Sequence, residues 1–151
     1  MTILWIHPVK PALPLGSRRG INGGPLFDLV ALQGELRSGA LDLGDANQVD
    51  VATDKCWEDL KKLKWNTKDH VTKLILLLKP GKGKQGDFIN SQWCDDSEGR
   101  LHPCDSYRIR VDHCTWSRNA NAPLYYLKFS IDDTGTLYLV LISCHLDKPK
   151  T

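Results

Sequence analysis

The chain has 151 residues and a mass of 17.0 kDa, the size of one domain, and it is long enough to bury a core without a disulfide or metal staple. Hydrophobic residues make up 41% and charged residues 25%, which excludes a disordered, collagenous or disulfide-scaffold protein. The net charge of +2 alone does not indicate a nucleic-acid partner, although residues 55–85 hold nine lysines against three acidic residues. That basic stretch is typical of a solvated helix face or of a rim that binds phosphate.

The sequence predicts neither a membrane span nor a secretory signal. Apolar runs such as Leu74–Leu78 are far too short to cross a bilayer. The first eight residues carry no basic region and no small-residue cleavage site. We therefore expect a cytoplasmic protein with no membrane partner.

The single predicted domain, residues 1–151, divides into three parts. Residues 1–24 are predicted to form a short strand, over residues 1–7, followed by a loop rich in proline and glycine. Residues 25–80 have helical periodicity, and residues 86–147 have the alternation of antiparallel strands. Helices that precede strands in this way predict an α+β domain.

Two helices are predicted in the first half of the helical part. The first begins at Pro25 and ends at Gly39, because proline suits a first turn and glycine a helix stop. The second is capped by Asp45, after which apolar residues recur at spacings of three and four. Those apolar positions are Ala46, Val49, Ala52, Cys56, Leu60 and Leu63.

A third helix is predicted to begin at Asn66 or Thr67, since both residue types cap helices well. Its inward positions would be Val71, Leu74, Ile75 and Leu78. The Pro80–Gly81 pair is predicted to end it.

The strands of the second half are predicted from their period of two. Ser106–Val111 and Leu124–Ile131 alternate between polar and apolar side chains, and Leu137–Cys144 is a long apolar strand. The turn sequence at residues 132–135 joins the last two into an antiparallel hairpin. We expect at least one more strand beside that hairpin.

Polar side chains share one face of the predicted sheet. If its apolar residues face the core, Tyr126 and Lys128 face away, a neighbouring strand adds Arg108 and Arg110, and His145 ends the last strand. Such a set can cleave RNA without metal. The 2′-hydroxyl needs a proton acceptor, the phosphorane a cation and the leaving oxygen a proton donor. Exposed strand residues are more often only solvated, and that interpretation stays open.

In the catalytic hypothesis, Tyr126 and His145 transfer the protons. The cations Arg108, Arg110 and Lys128 bind the scissile phosphate. The glycine-rich loop over residues 81–86 adds two lysines that would hold the RNA backbone. These are Lys82 and Lys84. The same loop would otherwise serve only as a connector.

Cysteines and histidines suggest a second chemistry. Cys94, Cys104 and Cys114 are ten residues apart, and His102 and His113 lie close to them in sequence. Because no C-x2-C or H-x3-H pair occurs, the usual spacing of a structural zinc site is missing. We expect free thiols, no metal and no cofactor, with a zinc protein kept as an alternative.

Three features of the second half resemble those of a known family. In chain order they are a helix end at Leu76–Pro80 followed by Gly86–Ser91, then Pro103–Tyr107, and last the hairpin of Tyr125–Ile131 and Val140–His145. Together they resemble the MqsR family of type II toxin–antitoxin toxins, which belongs to the RelE-like group of ribonucleases. The resemblance spans about residues 25–147. It implies a RelE-like fold, with N-terminal helices packed on a C-terminal antiparallel sheet.

The resemblance also implies an activity, namely metal-free cleavage of mRNA that a cognate antitoxin keeps in check. The family tyrosine falls on Tyr126, whereas two family lysines fall on Asn90 and His145 and the family glutamine falls on Cys104. The resemblance thus adds Asn90 and Cys104 to the substrate-binding candidates. Because three of these four positions differ, a relative without catalysis is the alternative: an immunity protein, a phage inhibitor or a regulator. The oligomeric state is not predicted.

Overall fold

The computed structural model describes residue 6, residues 8–9, residues 19–132 and residues 137–147. These residues form an α+β fold in which helices cover one face of a mostly antiparallel sheet. The helices are α1 (Leu29–Ser38), α2 (Asp54–Leu63) and α3 (Thr72–Leu77). The strands are β1 (Gly20–Ile21), β2 (Val49–Val51), β3 (Phe88–Asp95), β4 (Leu101–Asp112), β5 (Ser117–Arg118), β6 (Leu124–Asp132) and β7 (Tyr138–Leu146). None of the described helices is long and apolar enough to span a membrane.

The strands follow the order β1-β3-β4-β6-β7-β2, and β5 pairs with the end of β4. Every pair is antiparallel except β2 and β7, which run parallel. The predicted hairpin is formed by β6 and β7, and it lies inside the sheet rather than at its edge. Of its predicted turn, residues 133–135 lie outside the described residues.

The core lies between the sheet and the helices. The prediction that Tyr125, Leu127, Phe129 and Ile131 face the core is confirmed, since each is at most 4% exposed. On β4, the predicted inward residues Tyr107, Ile109 and Val111 are buried in the same cluster. Strands of period two therefore place one set of side chains inside and leave the alternate set on the other face.

The first helix ends where the sequence predicts but begins later. Gly39 adopts a left-handed φ of 83° at the end of α1. The helix starts at Leu29 rather than Pro25, because the Asp28 side chain accepts a hydrogen bond from Ala31 N at 3.1 Å. Residues 26–27 are held elsewhere, on the sheet.

The prediction of one helix capped by Asp45 is wrong. Val49–Val51 form β2, which pairs in parallel with residues 139–141 of β7. The helix begins only after Thr53, whose hydroxyl oxygen accepts from Cys56 N at 3.0 Å and donates to Ile142 O at 3.0 Å. A Val-Asp-Val run favours a strand once a partner is present, and that partner lies too far along the chain for local periodicity to reveal it.

The third helical segment begins as predicted. The Asn66 side chain accepts from Asp69 N at 2.6 Å and caps a π-helical turn over Thr67–Val71, which continues directly into α3. The helix ends at Leu77, so it stops before the predicted Pro80.

The N-terminal strand predicted over residues 1–7 lies outside the described residues, apart from Ile6. The loop predicted over residues 8–25 contains β1, whose Gly20 is paired with Gln92 of β3. A two-residue strand of this kind carries no periodic signal. It forms because the segment that follows it is tied to the sheet.

The side chain of Asp105, inside the core, holds the segment after β1 against the sheet. Its fully buried carboxylate accepts hydrogen bonds from Leu26 N, Phe27 N and the Ser91 hydroxyl at 2.6–3.0 Å. Burial raises the pKa of this carboxyl, and the three donors oppose that rise. A side chain at Gly24 would meet Ser91 Oγ at 2.0 Å, so only glycine fits where the segment crosses β3.

Candidate functional site

Three of the predicted catalytic residues form a row across the open face of the sheet, which none of the described helices covers. Arg108 on β4 is paired with Tyr126 on β6, and Tyr126 is paired with His145 on β7. The partly exposed side chains of Tyr126 and His145 and the exposed one of Arg108 alternate with buried core residues. The strand register therefore brings together residues that are up to 37 positions apart in the sequence.

Tyr126 is the centre of this row. Its ring stacks on the His145 imidazole, with 5.2 Å between centroids and 21° between planes. The Arg108 guanidinium carbon lies 6.0 Å from the tyrosine ring centroid, and the Lys128 ammonium lies 5.4 Å from it. Two cations thus flank an aromatic pair, and cation–π attraction helps to hold them there. We call these four residues the Tyr126 cluster.

The backbone fixes how His145 presents its ring. The Nδ1 atom lies 3.0 Å from the carbonyl oxygen of Leu146, which can only accept a hydrogen bond. In the neutral ring Nδ1 therefore carries the proton, and Nε2 keeps its lone pair. Nε2 is the atom of the cluster that is able to take a proton from a substrate.

An ion pair orients Arg108. Its Nε lies 2.6 Å from Oδ2 of Asp147, the residue that directly follows β7. Asp147 is itself held by a backbone hydrogen bond from its N–H to Leu124 O at 2.7 Å. The Arg108 side chain remains 52% exposed. Since the pair engages the inner nitrogen, the guanidinium keeps an exposed surface for an anion.

A second row of polar side chains runs beside the first. Asn90, Ser106, Lys128 and Ser143 are paired in sequence across β3, β4, β6 and β7. Asn90 is exposed, and its side-chain oxygen accepts a hydrogen bond from the Ser106 hydroxyl. Of the substrate-binding candidates, Asn90 therefore lies on the same open face as the Tyr126 cluster.

Cys104 occupies a different environment. Its side chain is fully buried in a small apolar cluster on the open face, with Cys94, Val140 and Ile142. Its thiol donates to His102 O at 3.4 Å. Burial raises the pKa of this thiol well above its usual value. The structure thus places Cys104 beneath the surface, where it is neutral and packs as a small apolar residue.

The remaining candidate cations lie away from the centre of the cluster. Arg110 is exposed two residues beyond Arg108 and donates from Nη1 to Ala122 O at 2.9 Å. The Lys82 ammonium lies 5.6 Å from the Phe88 ring, and Lys84 is exposed in a 3-10 turn. The residue after their loop contacts the site through its backbone, because the Asp87 carbonyl accepts from Arg108 N at 3.1 Å.

The cysteine and histidine pattern does not assemble in the structure. His102 is paired with Cys94 across β3 and β4, but its Nε2 contacts the Asp96 carboxylate at 2.9 Å. Cys114 is exposed in the turn after β4. Within the parts of the chain that the structure describes, no three metal-ligating side chains lie close enough to hold an ion.

Two residues that matter to the site were not predicted from the sequence. Asp147 orients Arg108, and Arg118 donates to the Asp87 carboxylate at 2.6 and 3.0 Å and to Leu77 O at 3.1 Å. Arg118 thereby fixes the loop that contacts Arg108. Asp147 is an acidic residue two positions after His145, and this proximity in sequence could have indicated its role. Nothing in the local sequence indicates the role of Arg118.

The site combines a ring nitrogen that accepts protons, a phenolic hydroxyl, the exposed cation of Arg108 and the half-buried cation of Lys128. An anionic substrate with a labile proton, such as an RNA phosphodiester, suits this combination. Comparisons with protein-family models, with curated proteins and with solved structures found no match to this chain. Its chemistry is therefore inferred from its own side chains.

Proposed function

We propose that this protein is a metal-independent endoribonuclease that cleaves mRNA, a divergent relative of the MqsR toxins with a RelE-like fold. The observation that carries the proposal is the Tyr126 cluster. In it, Arg108 and Lys128 flank the stacked rings of Tyr126 and His145 on the open face of the sheet, where the described part of the chain places no helix. An open face admits a long polymer, which an enclosed pocket would exclude.

The proposed reaction is an internal transesterification. His145 Nε2 takes the proton of the 2′-hydroxyl, and the 2′-oxygen attacks phosphorus. The bond from phosphorus to the 5′-oxygen breaks, and the Tyr126 hydroxyl gives that oxygen a proton. The products are a 2′,3′-cyclic phosphate and a 5′-hydroxyl end. Arg108 and Lys128 stabilise the charge that develops on the phosphate oxygens.

With these residue roles, the chain would cleave RNA even though it differs from the family at three of four positions. Asn90 and Cys104 provide no positive charge, and Cys104 is buried. Arg108, on the neighbouring strand β4, and Lys128, two residues beyond Tyr126 on β6, provide it instead. An imidazole at position 145 transfers protons near neutral pH more readily than a lysine does.

The proposal includes a partner. An enzyme that cleaves mRNA without a metal is not controlled by the supply of a metal, and it harms its own cell. We therefore propose that a cognate antitoxin protein neutralises it. Its place of action would be the cytoplasm, where mRNA is found.

The test is cleavage of a long mRNA by the purified protein in EDTA. We expect discrete cuts by the wild type and a loss of about 10²- to 10⁴-fold in rate for His145→Ala, the range for a general acid or base. The control is His113→Ala, which changes an exposed histidine in the turn after β4. Tyr126→Phe is compared in the same way with Tyr138→Phe, at the other end of the sheet.

Equal rates for His145→Ala and His113→Ala would remove His145 from the mechanism. No cleavage by the folded wild type would overturn the proposal and favour a protein-binding module. The buried Cys104 is the observation that favours this second candidate, since the family position it occupies cannot reach a substrate. Growth arrest on expression would count against the second candidate.

A further inference from the structure

We infer that the hollow between β4 and the segment after β5 binds the RNA phosphate next to the scissile one, an inference that rests on the proposed nuclease function. The hollow has a volume of about 400 Å³ and shares Arg108 with the Tyr126 cluster. A strand of RNA that crosses the cluster would therefore continue directly into it.

Three arginines line this hollow. They are Arg108 and Arg110 of β4 and Arg118 of β5. Asn119 adds an amide, and its side-chain oxygen already accepts from Asn121 N at 2.9 Å, which leaves the amide nitrogen to donate. Guanidinium and amide N–H groups that converge on one space are the donors that proteins use to bind phosphate.

The charges around the hollow are only partly balanced. Arg118 forms a two-pronged pair with Asp87, and Arg108 pairs with Asp147. Arg110 differs, because its described hydrogen bond goes to a neutral carbonyl, that of Ala122. Among the described residues, Arg110 has no acidic partner. The hollow therefore contains one uncompensated positive charge, which an anion would neutralise.

The spacing of the two strand arginines fits a polymer. Arg108 and Arg110 project from the same face of β4, two residues or about 6–7 Å apart. This resembles the distance between successive phosphates in an extended single strand. Arg108 would contact the scissile phosphate and Arg110 its neighbour. The substrate class that follows is single-stranded RNA, because the aromatic rings of Tyr126 and His145 beside these cations suit the unpaired bases of a single strand.

The experiment measures binding of a fluorescent 12-nucleotide 2′-O-methyl RNA, which cannot be cleaved, at several salt concentrations. For Arg110→Gln we expect weaker binding by about tenfold or more and a slope of log affinity against log salt that is lower by about 0.7, the value for one lost contact to a single strand. The control is Arg37→Gln, at the exposed end of α1. Arg110→Lys keeps the charge and should keep the slope.

A second variant tests the space rather than the charge. Ala120→Trp places a large side chain in the hollow and leaves the net charge unchanged. We expect it to weaken binding of the same oligonucleotide as Arg110→Gln does. Thermal unfolding confirms that each variant is folded.

The outcomes separate the two proposals. A wild type that binds the oligonucleotide with the expected changes in the variants, yet does not cut mRNA, keeps the phosphate site and overturns the nuclease. A wild type that cuts mRNA, with slopes and affinities unchanged in Arg110→Gln and Ala120→Trp, keeps the nuclease and overturns the phosphate site. A wild type that neither binds nor cuts overturns both.

Discussion

The two faces of the sheet are made by the same strands, yet around Tyr126 they differ in burial and in charge. On the covered face, Leu127 and Phe129 are fully buried against helices. On the open face, the alternate residues Tyr126 and Lys128 are half-buried and meet Arg108 and His145. Neighbouring residues of one strand thus experience an apolar core and a charged surface.

The contrast between the covered and open faces indicates how the fold can vary its chemistry. Covered-face residues are fixed by packing, because each methylene removed from a dense core leaves a void. The exposed and half-buried residues of the open face carry little of that packing, so their types can change at small cost in stability. We therefore expect substitutions on the covered face to change folding and those on the open face to change activity.

The largest stability effect is expected for Phe129→Ala. Phe129 stacks on Tyr107 at 5.7 Å and lies 6.4 Å from the ring of Phe27. Its loss should lower the free energy of unfolding by about 3–5 kcal/mol. Lys128→Ala, one residue away on the open face, should lower it by less than about 1 kcal/mol. Urea denaturation measures both, and similar losses would contradict the contrast between the faces.

A smaller loss is expected for a substitution of Asp105, a charged residue that is fully buried in the core. Asp105→Asn keeps one acceptor oxygen but brings an NH2 group close to the N–H groups of Leu26 and Phe27. Leaving a buried donor unpaired costs about 1–3 kcal/mol, so the free energy of unfolding should fall by that amount. Ser91→Ala removes one donor and should cost less. Faster hydrogen exchange at the Leu26 and Phe27 amides would locate the change; wild-type exchange rates there would contradict it.

The smallest effect concerns the far end of the open face and is confined to acid pH. Burial alone would raise the pKa of Asp96, but hydrogen bonds from His102, from Glu98 N and from Arg100 outweigh it and hold that pKa well below its usual 3.8. The folded state thus favours the carboxylate. The resulting stability is present above about pH 4 and is lost as the pH falls below that value.

The free energy of unfolding, measured from pH 7 to pH 2, tests whether stability falls as Asp96 becomes protonated. The wild type should lose stability below about pH 4 more steeply than Asp96→Asn, in which the titrating group is absent. Asp95→Asn, at the exposed neighbouring position, should follow the wild type. Parallel curves for the wild type and Asp96→Asn would contradict the role of Asp96.

Much of the second half of the fold could be predicted from its sequence. Alternation alone places Tyr125, Leu127 and Phe129 inside, because a strand has a strict period of two. The region before it could not be predicted in the same way. Residues 49–51 satisfy a helical spacing of three and four, and only a partner at residues 139–141 makes them a strand.

The candidate site, like the fold, could be predicted only in part from the sequence. Alternation and strand order place Arg108, Tyr126 and Lys128 on one face, and the register then brings His145 beside them. Cys104 lies on that face too, but a local apolar cluster covers it, and this depends on tertiary packing. Likewise, the ion pair of Arg118 with Asp87 joins residues 31 positions apart and has no local signal.

The parallel strand β2 has a consequence for how the chain folds. Residues 49–51 pair with residues 139–141 of β7. The Thr53 hydroxyl likewise donates to the carbonyl of Ile142, 89 positions later in the sequence. A contact of such range closes a long loop and forms late, after the local helices and hairpins. During synthesis, the two valines of β2 therefore stay unpaired until residues 139–142 have left the ribosome. Through that interval the two valines lack the strand partner that β7 gives them in the finished protein.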